Sequence, residues 1–140
     1  EAARSFGEDT LFGMGALEYS LVRQVGYLAV PDADFLLQPG MMTLGDSSFQ
    51  VLLSPGHSPG SICFYEEKNG ALFCGDVVFE NGIGRTDLPG GSGRELKESI
   101  IMLARLGASS LLSGHGNVVT GKKAVAANFK SVQENWLGYL

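Results

Sequence analysis

The chain has 140 residues, 44% of them hydrophobic, and its 10 basic and 15 acidic side chains give a formal net charge of −5. That length suits one domain with a buried core, and the apolar content excludes intrinsic disorder. An acidic balance without a basic stripe argues against nucleic acid or anionic membrane surfaces as partners. No apolar run is long enough to span a bilayer and no signal peptide is visible, so a cytoplasmic location is expected.

In chain order, residues 8–28 place Leu11, Met14, Leu17, Leu21, Val25 and Leu28 at intervals of three and four. The spacing predicts an amphipathic helix, which Gly13 and Gly15 weaken by roughly 1 kcal/mol each. Residues 31–40, with Pro31 and Pro39-Gly40, predict a loop. Strand patterns follow: Met42 to Leu44, a Gly45-Asp46 turn, then Ser48 to Leu53. Ile62 to Glu66 alternates as a strand, and Lys68-Asn69-Gly70 turns it into a hairpin with Ala71 to Cys74. Cys63 and Cys74 fall in these neighbouring strands and are expected to be buried free thiols.

Three of the apolar runs end in chemistry. Phe49 to Leu53 leads to His57 in Ser54-Pro55-Gly56-His57-Ser58-Pro59-Gly60. Ala71 to Cys74 leads to Gly75-Asp76, and Leu111-Leu112-Ser113 leads to Gly114-His115-Gly116. His57 and His115 are the only histidines in the chain. Imidazole and carboxylate delivered from separate strand ends, with glycine beside each, suit a borderline divalent metal. Taken singly, each of the three residues reads equally well as an ordinary loop side chain.

The second half completes an alternation of strand and helix. Residues 81–93 are glycine-rich and predict an irregular loop over the Asp76 region, in which Arg85 and Asp87 pair. Ser92-Gly93-Arg94-Glu95 reads as a capping box for a helix with Leu96, Ile100, Leu103 and Leu106 on one face and Gly107 as its stop. Ser110 to Leu112 is a short strand. Thr120 is a candidate cap for a last helix that presents Val125, Phe129, Val132 and Trp136. Gly116 to Lys123 imitates a phosphate-binding loop, but Lys123 stands where Ser or Thr must hold Mg²⁺, so nucleotide binding is not expected. Lys122 and Lys123 leave an anion contact there conceivable.

The ordered set of Ser54 to Gly60, Leu72 to Phe79, Gly84-Arg85-Thr86-Asp87 and Gly114-His115-Gly116 resembles the metallo-β-lactamase superfamily, its glyoxalase II-like branch most closely. The fit runs from about residue 42 to residue 120. The resemblance implies an α/β fold, part of the four-layer αβ/βα sandwich, with a mixed sheet covered by helices on one side. It implies a two-metal centre in which His57 binds the first ion, His115 the second, and Asp76 bridges them as the catalytic carboxylate. The metal implied is zinc, with iron or manganese as alternatives, and the activity is hydrolysis of a small thioester or ester.

The family's first metal motif, His-x-His-x-Asp-His, has no counterpart in this sequence. Residues 1–140 are therefore expected to be a single, N-terminally truncated domain whose metal site is incomplete and which hydrolyses negligibly by itself. An uncovered sheet face in such a domain predicts a homo-oligomer. Two alternatives stand beside the hydrolase: a non-catalytic binding or assembly module, and a relative of the single-iron enzymes that oxidise persulfides.

Overall fold

The structure is a computed structural model that describes residues 13–15 and 34–140. A short parallel pair joins β1 (Gly13–Gly15) to β2 (Phe35–Leu37). The main sheet contains β3 (Gly40–Leu44), β4 (Ser47–Leu53), β5 (Ile62–Glu66) and β6 (Ala71–Gly75) as an antiparallel meander. After it come a small hairpin of β7 (Val78–Phe79) and β8 (Gly82–Ile83), then helix α1 (Gly93–Ala104). Strands β9 (Ser110–Ser113) and β10 (Val119–Thr120) and helix α2 (Lys122–Asn135) complete the chain. The six-stranded order is β10-β9-β6-β5-β4-β3, and β6–β9 is its one parallel pair. Parallel neighbours need a crossover, and α1 lies within the one between them.

Register and pleat sort the side chains by face. Cys63, Leu72, Cys74 and Leu111 point to one side and are completely buried beneath the helices. They join Leu96, Ile100 and Leu103 of α1 and Val125, Phe129 and Val132 of α2 in one cluster. Burying a leucine or isoleucine side chain is worth roughly 1.5–3 kcal/mol, so this layer is a major source of stability among the described residues. Both helices thus cover the same side of a mixed sheet, as expected.

The opposite face is apolar and partly exposed. Met42, Leu44, Phe49, Ile62, Phe64 and Phe73 line a hollow of about 460 Å³. Phe49 meets Phe64 and Phe73 edge-on, with centroids 6.3 and 6.1 Å apart. Even so, Leu44 keeps 67% of its surface exposed and Phe73 39%.

Several local expectations need correction. Met14 lies in β1, not in a helix, because the glycines on either side of it disfavour helix and suit a short extended pairing. The rest of the predicted 8–28 helix falls outside the described residues. The predicted 31–40 loop contains β2 and the first residue of β3. The irregular stretch from Asn81 includes β8, paired to β7 across a Glu80-Asn81 turn in which Asn81 takes φ 57°.

Thr120 belongs to β10. Gly121 is the N-cap of α2 and makes no side-chain cap bond. The capping box at Ser92 is half realised: Ser92 Oγ accepts from the Glu95 amide at 3.3 Å, whereas the Ser92 amide donates to the Gly56 carbonyl at 2.8 Å. Both cysteines are buried and free, as expected. Among the described residues no helix is long and apolar enough to cross a membrane.

Candidate metal centre

His57 rides on a loop that closes on itself and on α1. The Ser54 amide donates to the Ser61 carbonyl at 2.8 Å, and Ser99 Oγ donates to the Pro55 carbonyl at 2.8 Å. Gly56 takes φ 136°, and a Cβ there would run into the backbone of Leu96. Glycine therefore lets the His57 loop rest against the first turn of α1.

Asp76 follows β6 directly, and Gly114 follows β9. The two strands are in register at Gly75 and Ser113, and the Gly114 amide donates to the Gly75 carbonyl at 2.7 Å. This parallel pairing brings Asp76 and His115 to the same end of the sheet, just past the carboxyl ends of β6 and β9. The site needs its glycines for room: a Cβ at Gly114 would strike Asp76 Oδ1, and one at Gly84 would strike the Asp76 carbonyl oxygen.

The three predicted side chains meet as two pairs. His57 Nε2 stands 3.8 Å from Asp76 Oδ2, and His115 Nε2 stands 3.5 Å from Asp76 Oδ1. His57 is 23% exposed, Asp76 37% and His115 77%, so the centre opens to solvent on the His115 side. His57 Nδ1 lies 2.8 Å from the Arg85 carbonyl oxygen. A carbonyl only accepts, so Nδ1 carries the proton and Nε2 is left with its lone pair toward Asp76.

Arg85 is held in turn by Asp87 through two bonds of 2.7 Å, Nε to Oδ1 and Nη2 to Oδ2. The guanidinium lowers the Asp87 carboxyl to about 2, chiefly by hydrogen bonding. The expected pairing of Arg85 with Asp87 is thus present.

Among the described residues no three His, Cys, Asp or Glu side chains group as a shell for one ion. The geometry explains why: the imidazoles address opposite oxygens of one carboxylate. Two ligands at about 2.0–2.2 Å from an ion in roughly tetrahedral geometry lie about 3.3–3.6 Å apart. The His115–Asp76 separation falls in that range and the His57–Asp76 separation just above it, so each pair fits two neighbouring donors of a separate ion.

Cys74 is excluded from this set. Its Sγ turns into the core toward the Val78 carbonyl, 3.2 Å away, and burial raises its pKa. The phosphate-loop imitation is also broken, since β10 occupies Val119–Thr120 and the Gly121 amide donates to the Ser109 carbonyl at 2.8 Å.

Sequence reasoning missed a second layer around His115. Phe79 meets its ring edge-on at 5.8 Å, and Asn128, Trp136 and Asn117 brace the hairpin that carries Phe79. The available signal was Asn128 itself, a polar residue on the same helical face as Val125, Phe129 and Val132.

Comparison with known proteins identifies the family. Residues 8–115 match the family model of the metallo-beta-lactamase superfamily, and the chain belongs to that superfamily. It is 39% identical over 99 residues to a probable metallo-hydrolase of Bacillus subtilis, YqgX, covering 69% of this chain and 46% of that protein. It is 38% identical over 93 residues to the hydroxyacylglutathione hydrolase GloC of Haemophilus influenzae, covering 65% of this chain and 44% of that one. Among solved structures, a di-iron-bound form of TTHA1623 superposes with a TM-score of 0.70 at 30% identity, covering 86% of this chain and 64% of the other. The chain spans about half the length of these two curated relatives.

Proposed function

We propose that this chain contributes the Asp76-bridged part of a two-metal centre in a hydrolase acting on small thioesters or esters, with zinc as the metal and iron or manganese as alternatives. One observation carries the reading: the Nε2 atoms of His57 and His115 face different oxygens of the same carboxylate, at 3.8 and 3.5 Å. His57 with Asp76 Oδ2 would hold one ion, and His115 with Asp76 Oδ1 the other. Such ions supply Lewis-acid charge and an activated water for attack on an acyl carbon. The remaining positions of each shell belong to donors other than these three.

Within that centre Asp76 fixes the separation of the two sites and supplies negative charge to both. The Arg85 carbonyl holds the His57 ring in the tautomer that can ligate. Gly114 leaves room for the Asp76 carboxylate, and Gly84 for the Asp76 main-chain carbonyl. The hydroxyacylglutathione hydrolase among the relatives supports a thioester as the substrate class. The partly exposed apolar face, with Leu44 and Phe73 at its surface, supports self-association into a homo-oligomer, which light scattering at micromolar concentration would detect.

The test is thioester hydrolysis by the chain extended to carry a His-x-His-x-Asp-His segment, chelated and then supplied with zinc, manganese or iron. Activity should return with metal, disappear in Asp76→Ala and fall in His57→Ala and His115→Ala. Turnover that survives Asp76→Ala overturns the mechanism.

A further inference from the structure

We infer that Asn128, with Trp136, is a positioning residue for His115: it clamps the β7–β8 hairpin whose Phe79 ring orients the imidazole, and so sets the divalent-metal affinity on the His115 side of the centre. The inference rests on the reading of His115 as a metal ligand.

The two imidazoles are supported differently. His57 is locked by a hydrogen bond from Nδ1 to the Arg85 carbonyl. Among the described residues His115 has no such bond, and 77% of its side chain is exposed. Its orientation therefore depends on the Asp76 carboxylate and on the edge-to-face contact with Phe79, 5.8 Å between centroids at 71°.

Phe79 is placed by α2. Asn128 is 6% exposed and uses both ends of its amide on the hairpin. Its Nδ2 donates to the Phe79 carbonyl at 3.0 Å, and its Oδ1 accepts from the Asn81 amide at 2.7 Å. These partners fix which way the amide points, because a carbonyl requires a donor and an amide N–H an acceptor. Trp136 Nε1 donates to the Asn81 carbonyl at 2.9 Å, securing the residue with positive φ at the turn. On its other side the hairpin holds the His115 loop, where Asn117 Nδ2 donates to Glu80 Oε2 at 2.9 Å. The hairpin thus connects the buried face of α2 to a solvent-exposed imidazole.

Groups that orient a metal ligand from behind change affinity by roughly 10–100-fold when lost. A merely structural asparagine would instead weaken both sides of the centre together.

With two histidines in the chain, the imidazole ¹H–¹⁵N spectrum reports each side separately. We would titrate zinc into the unmodified chain and into Asn128→Asp, Asn128→Ala, Trp136→Phe and Phe79→Leu, following both rings. Asn128→Asp keeps the acceptor for Asn81 and loses the donor to Phe79. Phe79→Leu removes the ring and keeps the backbone bonds, so it stands if Asn128→Ala fails to fold. The expected result is an affinity at His115 lowered about 10–100-fold in Asn128→Asp and Phe79→Leu, with His57 unchanged.

An unchanged response at His115 in those two variants, or equal losses at both rings, overturns the inference. A ring that does not respond to zinc even in the chain extended to carry a His-x-His-x-Asp-His segment would sink the metal reading instead. The nuclear Overhauser contact between Phe79 and His115 then still decides the clamp: its loss in Asn128→Asp supports it, and its persistence refutes it.

Discussion

His57 Nδ1 lies 2.8 Å from the carbonyl oxygen of Arg85, a residue 28 positions further along the chain. The contact fixes the neutral ring as the Nδ1–H tautomer, with Nε2 unprotonated and facing Asp76. Imidazole ¹⁵N shifts of the neutral ring should show a protonated Nδ1 for His57. A dominant Nε2–H form would contradict the arrangement.

Arg85 owes the position of its side chain to Asp87, whose carboxyl is lowered from 3.8 to about 2. A depressed folded-state value means the pair stabilises the loop above about pH 3.8 and is lost as pH falls toward 2. A ¹³C titration of the Asp87 carboxyl should therefore have its midpoint near 2, returning toward the ordinary carboxylate range in Arg85→Ala. Both side chains are well exposed, so the effect on global stability should be small.

Gly114→Ala tests how tightly the carboxylate is packed. The added methyl meets Asp76 Oδ1, so either the carboxylate or the strand end has to move. Overpacking of this kind costs about 1–3 kcal/mol, and denaturant unfolding should show a loss of that size. Metal affinity should fall with it. Stability and affinity both equal to those of the parent chain would show that the carboxylate has free space.

The thiols provide a test of the core. Burial pushes Cys63 up to about 12 and raises Cys74 as well. Since thiolate is the reactive form, neither should be alkylated by iodoacetamide near pH 8 in the native state, and both should react once denaturant is added. Rapid native alkylation of Cys63 would mean that the layer between sheet and helices is open.

Much of this was legible in the sequence because local pattern and tertiary demand coincided. Apolar alternation marked β4, β5 and β6, and a glycine at each strand end marked where His57, Asp76 and His115 emerge. Other features depended on contacts remote in sequence. The Ser92 amide is taken by Gly56 across the His57 loop, which a capping-box pattern cannot reveal. Thr120 is recruited to β10 by Ser110, so the cap position passes to Gly121. The brace on His115 passes through Asn128 and the backbone of Phe79, 49 positions apart, and no spacing rule encodes that.

The parallel pairing of β6 with β9 has a consequence for the order of folding. Hairpins β4–β5 and β5–β6 close over loops of eight and four residues, whereas β6 and β9 meet only after α1 has returned the chain to the sheet. Pairings distant in sequence bear the larger loop-closure cost and form slowly. Asp76 and Gly114 come into position through that one junction, and a slip of one residue in it would turn every β9 side chain to the opposite face. A chain halted before the junction would have its meander complete and no metal centre.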